Sequence, residues 1–182
     1  MIRKVAIIVI GLFISILFLA TFGSIYTGYT ILEQKDITLG DYPFPFIKNN
    51  IPNQLLIVIP DDYTFQEYDA AIKISESLNI NTQLSSNIIP VSRSPKEEYN
   101  LILIGDTCTN KLIAKELKTN NCNLVSESGY LELINKKRTS TLIVSGDIEK
   151  ASTVLANYKF YPLRKNQITI SGPMNSLILD YR

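Results

Sequence analysis

Three short apolar runs dominate the pattern of the chain, and each is followed by a polar turn and a segment of helical periodicity. The runs are LLIVI at residues 55–59, NLILI at 100–104 and TLIVS at 141–145. Uninterrupted apolar runs of this length are typical of strands buried on both faces of a sheet. The periodic segments behind them predict helices at residues 65–78, 110–118 and 148–158.

The first predicted helix has a recognisable start. Thr64 or Asp62 is a candidate N-cap, and Glu67, three residues after Thr64, completes a capping box. Helical spacing places one set of side chains together on its buried face, namely Tyr68, Ala71, Ser75 and Leu78. In the third helix the corresponding face is formed by Ile148, Ala151, Leu155 and Tyr158.

The remaining strands are weaker or paired. Residues 82–90 predict a second strand, and residues 130–134 pair with 141–145 around a basic turn that contains Lys136, Lys137 and Arg138. Residues 167–171 and 176–180 bracket a Gly-Pro turn and predict a final hairpin. Alternating strands and helices indicate an α/β fold. We therefore expect a three-layer, flavodoxin-like or Rossmann-like domain with a largely parallel sheet and added antiparallel hairpins.

The segment before the first strand carries Pro43, Pro45 and Pro52. Because proline restricts both its own φ and the residue before it, residues 41–46 are expected to be extended. Their aromatic side chains are too numerous for a disordered linker. The folded domain is accordingly expected to begin at Thr38.

Arg3 and Lys4 precede an uncharged apolar run that extends to Tyr29 and is densest between Val5 and Phe22. About 20 apolar residues span a bilayer as a helix, and the basic residues favour a cytoplasmic amino terminus. We expect residues 1–29 to be a transmembrane anchor or uncleaved signal, residues 30–37 a stalk and residues 38–182 an extracellular domain of a single-pass membrane protein. A cleaved signal peptide, with residues 20–24 as its processing site, is the alternative.

Composition narrows the function classes. With 18 Lys and Arg against 17 Asp and Glu, the net charge of +1 gives no reason to expect nucleic-acid binding. The chain has no His, which removes Ser-His and Cys-His nucleophiles and the commonest transition-metal ligand. No glycine-rich nucleotide motif is present. We expect no catalytic residues and no cofactor.

Cys108 and Cys122 are the two cysteines of the chain. In an extracellular domain such a pair predicts a disulfide. Two buried free thiols are the alternative, and a metal site is disfavoured because further Cys and His are missing.

Acidic residues follow the predicted strands at Asp61, Asp62, Asp106 and Asp147. Ligands of open α/β sheets bind beyond the carboxyl ends of the strands, so Asp61, Asp106 and Asp147 are candidate ligands for a hard cation such as Ca²⁺ or Mg²⁺. The simpler interpretation is helix capping, for which Asp in this position is favoured.

Four segments in order carry a family resemblance: LGDYPFPFIKNN at residues 39–50, LLIVIPDD at 55–62, NLILIGDTCTN at 100–110 and TLIVSGDIEKASTVLANY at 141–158. Together they resemble archaeal S-layer proteins over residues 38–158. The matching positions are Gly105, Cys108, Asn110, Gly146, Ala151, Leu155 and Ala156. The chain is far shorter than a full S-layer subunit and has Asp106 where the family has a second glycine, so it resembles a membrane-tethered, single-unit relative.

The resemblance implies a structural role at the cell surface without catalysis. We expect protein partners in the envelope, self-association among them, with lateral contacts from residues 42–46 and the final hairpin. Removing residues 167–182 is expected to weaken assembly without unfolding the domain. The alternative function is a solute- or divalent-cation-binding module at the Asp-lined edge of the sheet.

Overall fold

The structure is a computed structural model that describes residues 36–80, 87–94, 98–119, 121–122 and 127–182. The predicted anchor between Val5 and Phe22, and all but the last two residues of the predicted stalk, lie outside the described residues. In the described part, no helix has the length and apolar character needed to cross a membrane. Ile37–Arg182 forms a compact unit and is described here by itself.

The described residues form nine strands and three α-helices. The strands are β1 (Ile47–Lys48), β2 (Ile51–Pro52), β3 (Leu55–Ile59), β4 (Ile88–Pro90), β5 (Asn100–Ile104), β6 (Gly129–Asn135), β7 (Ser140–Gly146), β8 (Gln167–Ser171) and β9 (Ile178–Tyr181). The helices are α1 (Phe65–Ser77), α2 (Lys111–Leu117) and α3 (Ile148–Ala156). The predicted strands at 55–59 and 100–104 are confirmed to the residue, and the three predicted helices are confirmed with slightly shorter ends.

Seven of these strands form one mixed sheet in the order β4-β3-β5-β7-β6-β8-β9. The neighbours among β4, β3, β5 and β7 are parallel. The pairs β7–β6, β6–β8 and β8–β9 are antiparallel. The prediction of a largely parallel sheet is therefore wrong. The two hairpins that the sequence predicted pair with each other through β6 and β8. They therefore form a continuous antiparallel half of the sheet rather than short hairpins added to a parallel sheet.

The helices cover both faces of the sheet. Alternate residues of a strand point to opposite faces, so Ile57, Ile102 and Leu142 belong to one buried cluster and Val58, Leu103 and Ile143 to another. The first cluster packs against α1 and α3, and the second contains Ile113 of α2. Burial on both faces explains the apolar runs at the centre of these parallel strands, LLIVI in β3, LILI in β5 and LIV in β7.

The predicted capping box of α1 is confirmed. The Thr64 hydroxyl oxygen accepts a hydrogen bond from the Glu67 N–H at 3.2 Å, and Glu67 Oε2 accepts one from the Thr64 N–H at 2.6 Å. The predicted buried face is correct except at Tyr68, which is exposed and stacks on Tyr63 with ring centroids 5.6 Å apart. The buried stripe is centred on Ala71 and Ile74, which leaves Tyr68 at its flank.

The lead-in packs as predicted but is not extended. Residues 39–46 form a 3-10 helix at Leu39–Asp41 followed by turns, and the peptide bonds before Pro43 and Pro45 are cis. Tyr42 and Phe46 are buried in the core, and the Tyr42 ring meets that of Tyr158 edge-on at 5.1 Å. Most of the aromatic surface expected to contact neighbours is thus used inside the domain.

Candidate functional site

The carboxyl ends of β3, β5 and β7 meet at one edge of the sheet because these strands are adjacent and parallel. Asp61, Asp106 and Asp147 follow these strand ends, as the sequence predicted. This carboxyl edge is the place where open α/β sheets bind ligands, so the contacts of each carboxylate decide what it can do.

Asp61 and Asp106 accept hydrogen bonds from nearby backbone. Asp61 Oδ1 accepts from the Ser92 N–H at 2.9 Å. Hydrogen bonds from the side chain and backbone of Ser92 hold the pKa of Asp61 below its ordinary value. Asp106 Oδ1 accepts from the N–H groups of Cys108 at 2.6 Å and Thr109 at 2.9 Å, so it organises the turn before α2.

Asp147 is the N-cap of α3. Its Oδ1 accepts from the Lys150 N–H at 3.2 Å, and its Oδ2 lies 2.7 Å from Lys150 Nζ. Partial burial opposes ionisation, but the hydrogen bonds and the charge of Lys150 outweigh it and lower the pKa of Asp147. Across the described residues, no three Cys, Asp or Glu side chains come together as a metal-binding group.

The crevice between β3 and β5 is filled by the protein's own side chains. At Gly105, where φ is +122°, a Cβ atom would lie 3.0 Å from Pro60 Cγ, 3.0 Å from Thr109 Oγ1 and 3.2 Å from Glu67 Oε1. Strand order reverses between β3 and β5, which is the point where doubly wound sheets bind cofactors. Here that position is taken by the capping carboxylate Glu67, which is buried.

The hydrogen bonds of two buried asparagines, Asn100 at the start of β5 and Asn110 six residues beyond its end, were not predicted from the sequence. Asn110 Nδ2 donates to the carbonyls of Val58 at 3.3 Å and Ile104 at 3.0 Å, while its Oδ1 caps α2 through the Leu112 N–H at 3.1 Å. At the other end, Asn100 Nδ2 donates to the Asn53 carbonyl at 2.7 Å. The sequence shows Asn100 at the start of the apolar run and Asn110 shortly after it. Their hydrogen-bond partners, however, lie on other strands and cannot be read from this stretch.

Asn100 also accepts a hydrogen bond at its Oδ1 from the Ser140 N–H, at 2.8 Å. The two asparagines therefore hold β5 to β3 and β7. Their role is to stabilise the sheet rather than to take part in a reaction.

The structure brings the two cysteines together. Their Cα atoms lie 5.2 Å apart, within the range of a disulfide. Beside them, the Thr107 hydroxyl donates to the Asn121 carbonyl at 2.7 Å. Both contacts close the loop that follows α2.

Two buried phenols are also unsuited to act as bases. Burial raises the pKa of Tyr42 above its ordinary value. Burial also raises the pKa of Tyr130, and the hydrogen bond that its hydroxyl donates to Glu132 adds to the shift. Both hydroxyls stay protonated at neutral pH.

No protein-family model matches the chain, and no curated protein matches it at a significant level.

Proposed function

We propose that this chain is a non-enzymatic, membrane-anchored extracellular domain that contributes to a cell-surface or envelope assembly. The S-layer resemblance supports this role, and the local contacts of Asp61, Asp106 and Asp147 weigh against the cation-binding alternative. The parallel strands, numbered as they occur in the chain, run 2-1-3-4 across the sheet. This order supports the flavodoxin-like description of that half of the sheet.

The observation that carries the proposal is the edge strand β9. Arg182 N–H donates to the Gln167 carbonyl at 3.0 Å, and the register pairs Asp180 with Thr169. Because hydrogen-bonded and non-hydrogen-bonded pairs alternate in antiparallel strands, the backbone groups of Leu179 and Tyr181 point away from β8. In the described residues no other strand pairs with β9.

The two edges of the sheet differ in how they are protected. At the other edge, β4 has three residues and ends in Pro90, which has no N–H to donate. Short edge strands and proline are devices that prevent pairing with other chains. β9 has four residues and no proline, so all its backbone N–H groups can donate, and Ile178 on it is 61 % exposed. We infer that β9 adds to the sheet of a neighbouring envelope protein.

Removing the whole hairpin, as the sequence suggested, is not a clean test. Ile168 and Ile170 of β8 are fully buried and belong to the main core cluster. Their loss would cost several kcal/mol, since each large-to-small core truncation costs about 2–5 kcal/mol. We therefore expect the truncated domain to lose stability rather than stay folded.

Substitution of Ile178 by lysine tests the edge contact. Ile178→Lys should weaken assembly of the full-length chain at least about tenfold, because it removes an exposed apolar residue and places a charge on the pairing edge. The measurement is the fraction of chain recovered in envelope complexes by sedimentation after mild detergent extraction. The urea midpoint of the variant should match that of the parent chain.

Met174→Lys is the matched control, because it makes the same change of charge in the exposed β8–β9 turn, off the strand. It should assemble like the parent chain. Equal assembly of the parent chain, Ile178→Lys and Met174→Lys would contradict the role of β9.

A further inference from the structure

Phe65 is one of the two most exposed aromatic side chains of the described residues, at 83 %. It begins α1 at the carboxyl edge of the sheet and lines a cleft of about 250 Å³ between the starts of α1 and α3. Glu149 and Asp69 line the same cleft, and the Asp69 carboxylate also lies 2.7 Å from Lys73 Nζ. We call this surface the acidic cleft. The exposed, stacked rings of Tyr63 and Tyr68 adjoin Phe65 in the chain.

Phe160 is the second of these highly exposed aromatic side chains, at 84 %. It follows the end of α3, towards the amino edge of the parallel strands, and lines a cleft of about 310 Å³ together with Lys159 and Tyr161. Arg164 and Lys165 follow closely and are exposed. We call this surface the basic cleft.

The two clefts lie at opposite ends of the same helical layer. α3 runs from the end of β7 back along the sheet, so Glu149 in its first turn and Lys159 beyond its last turn are separated by its whole length. Acidic residues at helix starts and basic residues at helix ends also complement the helix dipole. Arg164 and Lys165 belong to no helix, however, so capping does not account for them.

The two clefts carry opposite charges. The cleft at Phe65 has the carboxylate of Glu149, and the cleft at Phe160 has the ammonium group of Lys159, with Arg164 and Lys165 following in the chain. A cavity of about 150 Å³ already accommodates benzene, so either cleft has room for a phenyl ring. Two acidic clefts face to face would repel, as would two basic clefts, whereas unlike clefts attract.

We propose that copies of this chain associate head to tail, the acidic cleft around Phe65 of one copy against the basic cleft around Phe160 of the next. Such a heterologous contact repeats and generates a row of subunits rather than a closed dimer. This contact involves neither β8 nor β9, so it goes beyond the proposed pairing at β9. Its test is therefore independent of the Ile178→Lys test of that pairing.

Cysteine cross-linking of the full-length chain in detergent tests the geometry. We expect Gln66→Cys and Pro162→Cys, which line the two clefts and leave both phenylalanines in place, to form a disulfide-linked dimer when mixed in equal amounts under mild oxidation. Neither variant alone should give a disulfide-linked dimer, and the double variant should give a ladder of oligomers. Met174→Cys is the control, exposed near the carboxyl edge but outside both clefts, and mixed with Pro162→Cys it should give only background dimer.

A charge exchange then tests complementarity. Adding Glu149→Lys to Gln66→Cys should lower the yield of mixed dimer roughly two- to fivefold, as expected for an exposed charge pair. Adding Lys159→Glu to the Pro162→Cys partner should restore the yield. Dimers of Gln66→Cys or Pro162→Cys with themselves, or a mixed yield no higher than with Met174→Cys, would overturn the head-to-tail contact.

Discussion

Replacing Asn110 with alanine should lower the free energy of unfolding by about 2–4 kcal/mol, because two costs add. The first is loss of the N-cap of α2, worth about 1 kcal/mol. The second is the loss of donors for the carbonyls of Val58 and Ile104, where an unsatisfied buried group costs about 1–3 kcal/mol. Urea unfolding followed by circular dichroism measures the change.

Two variants separate these costs. Thr64→Ala removes a cap with no strand contact and should cost about 1 kcal/mol. Asn110→Ser keeps a capping oxygen, but its hydroxyl is too short to reach two strands, so its cost should lie between those of Thr64→Ala and Asn110→Ala. If Asn110→Ala costs no more than Thr64→Ala, the bridge between β3 and β5 contributes nothing.

Gly105→Ala should destabilise the domain by about 2–4 kcal/mol, since a strained φ and an overpacked contact each cost about 1–3 kcal/mol. A φ of +122° is rarely adopted by residues with a Cβ atom, and Pro60 and Thr109 stand 3.0 Å from where that atom would lie. The shift in the urea midpoint measures the effect.

Lys118 provides a control in which the expected change in stability has the opposite sign. It caps α2 with a φ of 53°, a conformation that glycine adopts without a steric penalty. Lys118→Gly should therefore leave stability unchanged or raise it slightly. A Gly105→Ala variant as stable as the parent chain would show that the crevice can relax, and that Glu67 and Pro60 do not fill it tightly.

Local signals in the sequence predicted the elements well. The apolar runs located β3, β5 and β7, because strands buried on both faces carry several apolar residues in succession. The capping box at Thr64 and Glu67 was also predicted correctly, because its two partners lie within one helical turn of each other. Asp147 is likewise the predicted cap, held by Lys150.

The errors concern contacts between distant parts of the chain. The composition of the final hairpin could not reveal that β8 pairs with β6 and buries Ile168 inside the sheet. The roles of Asn110 and Asn100 depend on which strands lie beside β5, and strand order was not predictable. Asp61 was expected to cap a helix, yet its Oδ1 accepts a hydrogen bond from the N–H of Ser92, which lies beyond β4 in the chain.

The clefts around Phe65 and Phe160 also escaped prediction, because periodicity identifies buried side chains and says little about exposed ones. Phe65 opens a helix whose buried face begins at Glu67. Phe160 follows the last turn of α3. Their exposure became visible only once the helices were placed on the sheet.

Hydrogen exchange at the edge of β9 tests the central claim, that the chain works by pairing with a neighbour at this strand. The amide N–H groups of Leu179 and Tyr181 point away from β8 and have no partner strand within the described residues. In the detergent-solubilised, dissociated chain both amides should exchange rapidly. In native membranes, where the proposal places the assembled chain, their exchange should slow at least about a hundredfold, as for amides in a paired strand. Equally fast exchange of both amides in the two states would contradict the account.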